Sequence, residues 1–109
     1  MSLNLEQLSQ AMVNAAKGQV ADKWPQIKDY AKQEAKKLAE NFVLIEKLKL
    51  TQQITEEQAV IMHKMQNNAT KAVLLSVQGM TTLMAEQALN AALDAVKETV
   101  NTALNFTLL

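Results

Sequence analysis

Residues that interrupt helices are confined to a few places in this 109-residue chain, which contains two glycines and one proline. They are Gly18, Pro25 and Gly79. The rest of the chain is rich in alanine, leucine, glutamine and lysine. Such a composition favours helix almost everywhere and gives little support for strands. The sequence therefore predicts an all-α fold, and a chain of this length is expected to form a single domain over residues 1–109.

Local start and stop signals divide the chain into predicted helices at about residues 4–17, 25–50 and 56–105. Asn4, with Gln7 three residues later, is a candidate cap for the first helix. Thr55 with Gln58 forms a capping box at the start of the last, after a turn at residues 51–55. Gly79 weakens the last helix, which is either continuous or bent there.

Two architectures follow from the breaks at Gly18 to Pro25 and at Gly79. If both arms are nearly straight, each spans roughly 75 Å and the chain is a long helical hairpin. If both arms bend, the same pattern gives an up-down bundle of four helices. The sequence leaves both open, and in either case we expect self-association to cover the remaining apolar surface.

The segment after Gly79 carries a thin polar seam between broad apolar flanks. The seam consists of Gln78, Thr82, Glu86, Asn90, Asp94, Glu98, Asn101 and Asn105. A helix that is apolar over most of its circumference must be buried on most sides. We therefore predict an oligomer interface formed by Val73, Val77, Met80, Leu83, Met84, Leu89, Leu93, Val96 and Val100. The apolar end of the chain, LNFTLL, is also expected to dock, either on its own bundle or on a second copy.

The charges of the chain argue against nucleic acid as a partner. Eleven basic residues, all lysine, balance eleven acidic ones, so there is no global positive field and no arginine for bidentate recognition. Lys28, Lys32, Lys36 and Lys37 form a basic run, but acidic residues interleave with them, which predicts a solvated face with helix ion pairs. The first residues resemble no secretory signal, so we expect a cytoplasmic protein.

A catalytic or metal-binding role has little support in the sequence. The metal ligands that it could offer are Glu46, Glu56, His63 and Glu86, which suggests a ferritin-like bundle. The Glu-x-x-His turn of such bundles is missing, because Val60 stands three residues before His63. Since the chain has one histidine and no cysteine, we predict that it is not an enzyme and needs no metal or cofactor.

Three functional hypotheses remain. The first is a non-enzymatic structural or interaction protein that forms a homo-oligomeric helical bundle, with itself or another protein as partner. The second is a membrane-active amphipathic protein that inserts into or coats lipid through residues 72–109. The third is the ferritin-like metal-binding bundle. Polar residues interrupt the apolar window of residues 72–90, which argues against a transmembrane span.

Overall fold

The computed structural model describes residues 2–109, which fold into four packed helices with no strand among them. The helices are α1 (Leu5–Gln19), α2 (Trp24–Leu50), α3 (Glu56–Leu75) and α4 (Thr82–Leu104), with a single 3₁₀ turn at Ala21–Lys23. The all-α prediction is confirmed. The longest dimension is 42 Å, so the arms are folded over and the bundle forms in place of a straight hairpin.

The first bend lies where Gly18 and Pro25 predicted it. Helix α1 continues through Gly18 and ends at Gln19, and Val20 turns the chain while its side chain is buried in the core. Pro25 occupies the first turn of α2, where a missing N–H donor costs nothing because that position has no partner within the helix.

The second bend separates α3 from α4, so residues 56–105 take the bent form. Helix α3 ends at Leu75, and Gly79 adopts a left-handed conformation with φ of 87°. The Thr81 hydroxyl then caps the new helix by accepting a hydrogen bond from the Met84 backbone N–H at 3.2 Å. A glycine that would only weaken a helix is here the pivot between two of them.

The other predicted helix starts are also present. The Asn4 side chain accepts a hydrogen bond from the Gln7 backbone N–H at 3.0 Å. Thr55 and Gln58 exchange both hydrogen bonds of the capping box, at 3.1 Å and 2.8 Å. Each cap involves residues within one helical turn, so it forms whatever the packing of the helices against one another.

Helix α1 lies at the centre of the bundle, packed against both α2 and α4, while α3 packs mainly on α2 and touches α4 less. The largest fully buried apolar side chains are Met12, Ile27, Phe42, Ile45, Val96 and Val100, contributed by α1, α2 and α4. Helix α3 adds only small or polar groups and Leu74 to the buried set. It is therefore the outermost element of the fold.

Residues 2 and 3 and the C-terminal residues dock on the bundle. Glu46, which is 1% exposed, accepts hydrogen bonds from the Ser2 N–H, the Ser2 hydroxyl and the Leu3 N–H. At the other end the Asn101 side chain accepts from the backbone N–H groups of Leu108 and Leu109. The apolar C-terminal residues are thus held against their own chain.

Candidate functional site

Most of the predicted oligomer interface is already covered within one chain. Leu89, Val96 and Val100 are core residues, and Val77, Met80 and Leu93 pack against the core. Val73 and Met84 are half-buried, whereas Leu83 is 62% exposed. A second copy could reach the buried side chains only by opening the bundle, so Leu83 is the member of that set best placed to meet a partner.

The polar seam of the sequence is the solvent face of α4. Glu86 is exposed and accepts a hydrogen bond from the Lys71 ammonium of α3 at 2.7 Å. Asn90, Asp94 and Glu98 are exposed as well. The Glu86 carboxylate therefore faces water and Lys71. A surface ion pair of this kind contributes at most about 1 kcal/mol to the free energy of unfolding.

The candidate metal ligands do not meet. Glu46 is taken up by the N-terminal backbone, Glu86 pairs with Lys71, and Glu56 is exposed in the first turn of α3. Within residues 2–109 no group of three potential ligand side chains is close enough to hold one ion.

The interface between α2 and α3 is unusually polar for a small core. The Thr70 hydroxyl donates to the buried carboxylate of Glu34 at 3.1 Å, and the Lys37 ammonium donates to its other oxygen at 3.0 Å. The Asn41 amide donates to the Met62 carbonyl at 3.2 Å. Because a buried polar group needs its partner, the Thr70–Glu34 and Asn41–Met62 bonds, which cross between the helices, fix how α3 is seated on α2.

His63 lies in the same interface. It is 8% exposed, and its ring stacks on Phe42 with the centroids 5.3 Å apart. Its Nδ1 atom is buried without a hydrogen-bond partner. Burial lowers the pKa of the His63 imidazole below its ordinary value of 6.5, because a desolvated ring disfavours the charged form.

The opposite side of α3 carries large apolar side chains, and it is exposed. Ile61 is 57% exposed, Met65 67% and Leu75 37%, and Ala72 is exposed between them. We call these four residues the α3 outer face. Their spacing of three and four residues, with Asn68 at the middle, places them on one stripe of the helix. Sequence reasoning missed this face, although the spacing was there to be read, because Ala59 and Leu74 on the buried side of α3 repeat at helical spacing too.

Three further exposed leucines lie on the helices that flank α3, and Leu50, at the end of α2, is 60% exposed. Leu44 of α2 is 45% exposed and Leu83 of α4 is 62% exposed. Leu44 shares a shallow surface depression with Gln66 of α3. Clusters of large exposed apolar side chains mark interaction sites more often than isolated ones do. The α3 outer face is therefore the candidate functional site.

No helix within residues 2–109 combines the length and the apolar character that crossing a bilayer requires. Comparison of the chain with protein-family models, with curated proteins and with solved structures found no match. The candidate site therefore rests on its geometry.

Proposed function

We propose that this protein is a non-enzymatic interaction module of the cytoplasm that forms a homo-oligomer through the α3 outer face. The observation that carries the proposal is that the outermost helix of the bundle carries a row of large apolar side chains on its uncovered side. The interface proposed now is centred on Ile61 and Met65. Of the residues predicted from sequence, Leu83 alone is exposed.

The arrangement of the outer face suits a second copy of the same chain. Ile61 lies seven residues before Asn68 and Leu75 lies seven after it, while Met65 and Ala72 lie three before and four after. Two α3 helices packed antiparallel about a two-fold axis at Asn68 would place Ile61 against the partner's Leu75. The two Asn68 amides would then meet on the axis, where each can donate to the other. Self-complementarity of this kind is what an isologous dimer requires.

The energy available indicates a weak dimer. The exposed fractions of Ile61, Met65 and Leu75 amount to about one and a half side chains per copy. At about 1.5–3 kcal/mol for each side chain fully buried, two copies gain roughly 5–10 kcal/mol. This gain is comparable to the roughly 4–15 kcal/mol lost in immobilising the partners. The surplus is therefore a few kcal/mol at most, which corresponds to dissociation at roughly millimolar concentrations.

The buried ionisable groups support a structural role over a catalytic one. Glu34 is occupied by Thr70 and Lys37, and Glu46 by backbone N–H groups at the start of the chain. Each carboxylate thus has a partner that fixes part of the fold. The partly open cavity among the four helices holds only about 30 Å³ and has mainly apolar walls. A space of that size takes about one water molecule.

The test is absolute molar mass by light scattering over a wide range of protein concentrations. We expect the wild type to move from monomer to dimer with rising concentration, and Met65→Glu to stay monomeric. Tyr30→Glu is the matched control, because Tyr30 is 48% exposed on α2, outside the proposed interface. Glutamate is tolerated at exposed helix positions, so neither change should unfold the protein.

A wild type that stays monomeric at every concentration would refute the dimer, as would a Met65→Glu variant with unchanged mass. Flotation with liposomes distinguishes the membrane hypothesis from the proposed dimer. The apolar residues of 72–109 that would enter lipid include Leu89, Val96 and Val100, which lie in the core of the bundle. Flotation of the wild type but not of the Met65→Glu variant would therefore assign the α3 outer face to lipid instead of a second copy.

A further inference from the structure

A second surface feature lies between α1 and α2, away from the α3 outer face. It is an open groove of about 830 Å³. Lys28, Lys32 and Lys36 follow one wall on α2, Lys17 lies on the α1 wall, and Trp24 lies where α2 begins. The α3 side of α2 is marked by other residues, Glu34 and Asn41, which bond to α3.

The four lysines of the groove are not neutralised by the chain. Within residues 2–109 the ion pairs closer than 4.0 Å are Lys37 with Glu34 and Lys71 with Glu86. The groove lysines therefore lack the helix ion pairs that the interleaved acids predicted. Glu6 is the one carboxylate among the residues that line the groove, and all four lysines are exposed. The groove carries more positive charge than negative, in a chain whose net charge is zero.

The spacing of these charges indicates what would neutralise them. Lys28, Lys32 and Lys36 follow one another at four-residue intervals on one side of α2. Neighbouring lysines are about 6 Å apart along the helix axis, so the row spans about 12 Å. A single phosphate or carboxylate would reach only part of that row. A helix with acidic residues every four positions repeats its charges at the same step, and a groove between two helices has the shape that accepts a third.

The remaining lining of the groove suits the same ligand. Leu5, Val13 and Trp24 are half-buried and offer apolar contact, as the non-polar side chains of an amphipathic helix require. The Ser9 hydroxyl is buried in the groove wall without a hydrogen-bond partner. We propose that the groove between α1 and α2 binds an acidic amphipathic helix of a partner protein, and that Lys28, Lys32 and Lys36 form ion pairs with the acidic side chains of that helix.

Trp24 makes the proposal directly testable, because it is the single tryptophan of the chain and lines the groove. The probe is a synthetic capped peptide of about 18 residues, long enough for appreciable helix in water. It carries Glu at three successive four-residue steps and Leu on the adjoining face. We expect a saturable change in Trp24 fluorescence on titration, weakened by added salt because the contacts are exposed ion pairs.

Two matched controls decide whether the lysine row is responsible. A peptide with Gln in place of Glu should bind roughly tenfold more weakly, as should the Lys28→Gln, Lys32→Gln, Lys36→Gln triple variant with the acidic peptide. A Lys47→Gln, Lys97→Gln variant, changed at exposed lysines of α2 and α4 outside the groove, should bind like the wild type. All these positions are exposed on helices, and glutamine keeps their helix propensity.

Absence of a saturable signal, or equal binding by the Gln peptide or the triple variant, would overturn the proposal. A second result would also overturn it: the protein binds phosphatidylglycerol vesicles through the three lysines but does not bind the acidic peptide. The lysine row would then bind a lipid surface. Because none of these readouts involves the α3 outer face, failure here leaves the proposed dimer to its own mass measurement.

Discussion

The Glu46 carboxylate is the strongest single link between the start of the chain and the bundle, and its replacement by glutamine tests that link. One oxygen accepts from the Ser2 N–H at 3.1 Å and from the Ser2 hydroxyl at 2.9 Å, and the other accepts from the Leu3 N–H at 3.2 Å. Glutamine keeps the shape but replaces one oxygen with an NH₂ donor. At least one of these donors then faces another donor, in a site where Glu46 is 1% exposed.

The expected cost follows from the hydrogen bonds that are lost. Bonds to a charged acceptor contribute about 1.5–3 kcal/mol each, and a buried donor left without a partner costs about 1–3 kcal/mol. Because Ser2 is exposed and water can replace part of its bonding, we expect Glu46→Gln to lower the free energy of unfolding by about 2–3 kcal/mol. For a domain of this size that corresponds to a melting temperature lower by roughly 8–15 °C.

The assay is urea denaturation followed by circular dichroism, with Ser2→Ala as the second arm of a double-mutant cycle. Ser2→Ala alone removes the hydroxyl bond and should cost about 1 kcal/mol, and less than that in the Glu46→Gln background, because a neutral amide oxygen is a weaker acceptor than a carboxylate oxygen. A midpoint for Glu46→Gln within experimental error of the wild type would refute the reasoning. Fully additive costs would show that the two side chains are not energetically linked.

The two glycines predict opposite responses to alanine, measured by the same denaturation assay. Gly18→Ala, in helix α1 with open space around the new Cβ, should stabilise by about 0.5–1 kcal/mol, whereas Gly79→Ala should destabilise by about 1 kcal/mol or more. The Gly79 cost arises from its φ of 87°, since the nearest contact, the Lys23 ammonium, can move away; equal effects at both sites would contradict this account. The lowered pKa of His63 predicts that stability falls as pH drops below 6.5 and levels off below the folded-state pKa, because the unfolded chain binds the proton more readily. His63→Gln should flatten the pH dependence in that window, and an unchanged profile would assign it to other groups.

Much of the fold could be predicted from local signals. The caps at Asn4 and Thr55 and the restart at Pro25 depend only on residues a few positions away, so the structure contains them as the sequence indicates. The choice at Gly79 could not be made in this way. A glycine within a continuous helix costs only about 1 kcal/mol, which is too little to force a break. The packing of α4 back onto α1 decides that the chain bends there.

The candidate site was harder to predict than the fold. Helix α3 presents Leu74 and Thr70 on one side and Ile61 and Met65 on the other. Periodicity alone does not say which side a neighbour covers, because both repeat at helical spacing. The same limit applied to the predicted interface, where the flanks of α4 were correctly apolar but Val96 and Val100 are covered by the chain's own helices.

By itself the sequence determined that this protein is helical, where most of its helices begin, and that its α4 segment needs cover on several sides. These are properties of residues a few positions apart. Only the tertiary structure decided that the cover is supplied within one chain, that Glu46 meets the backbone of residues 2 and 3, and that α3 is left with an exposed apolar face. These outcomes join residues more than forty positions apart or select between equivalent faces, and they depend on the packing of all four helices at once.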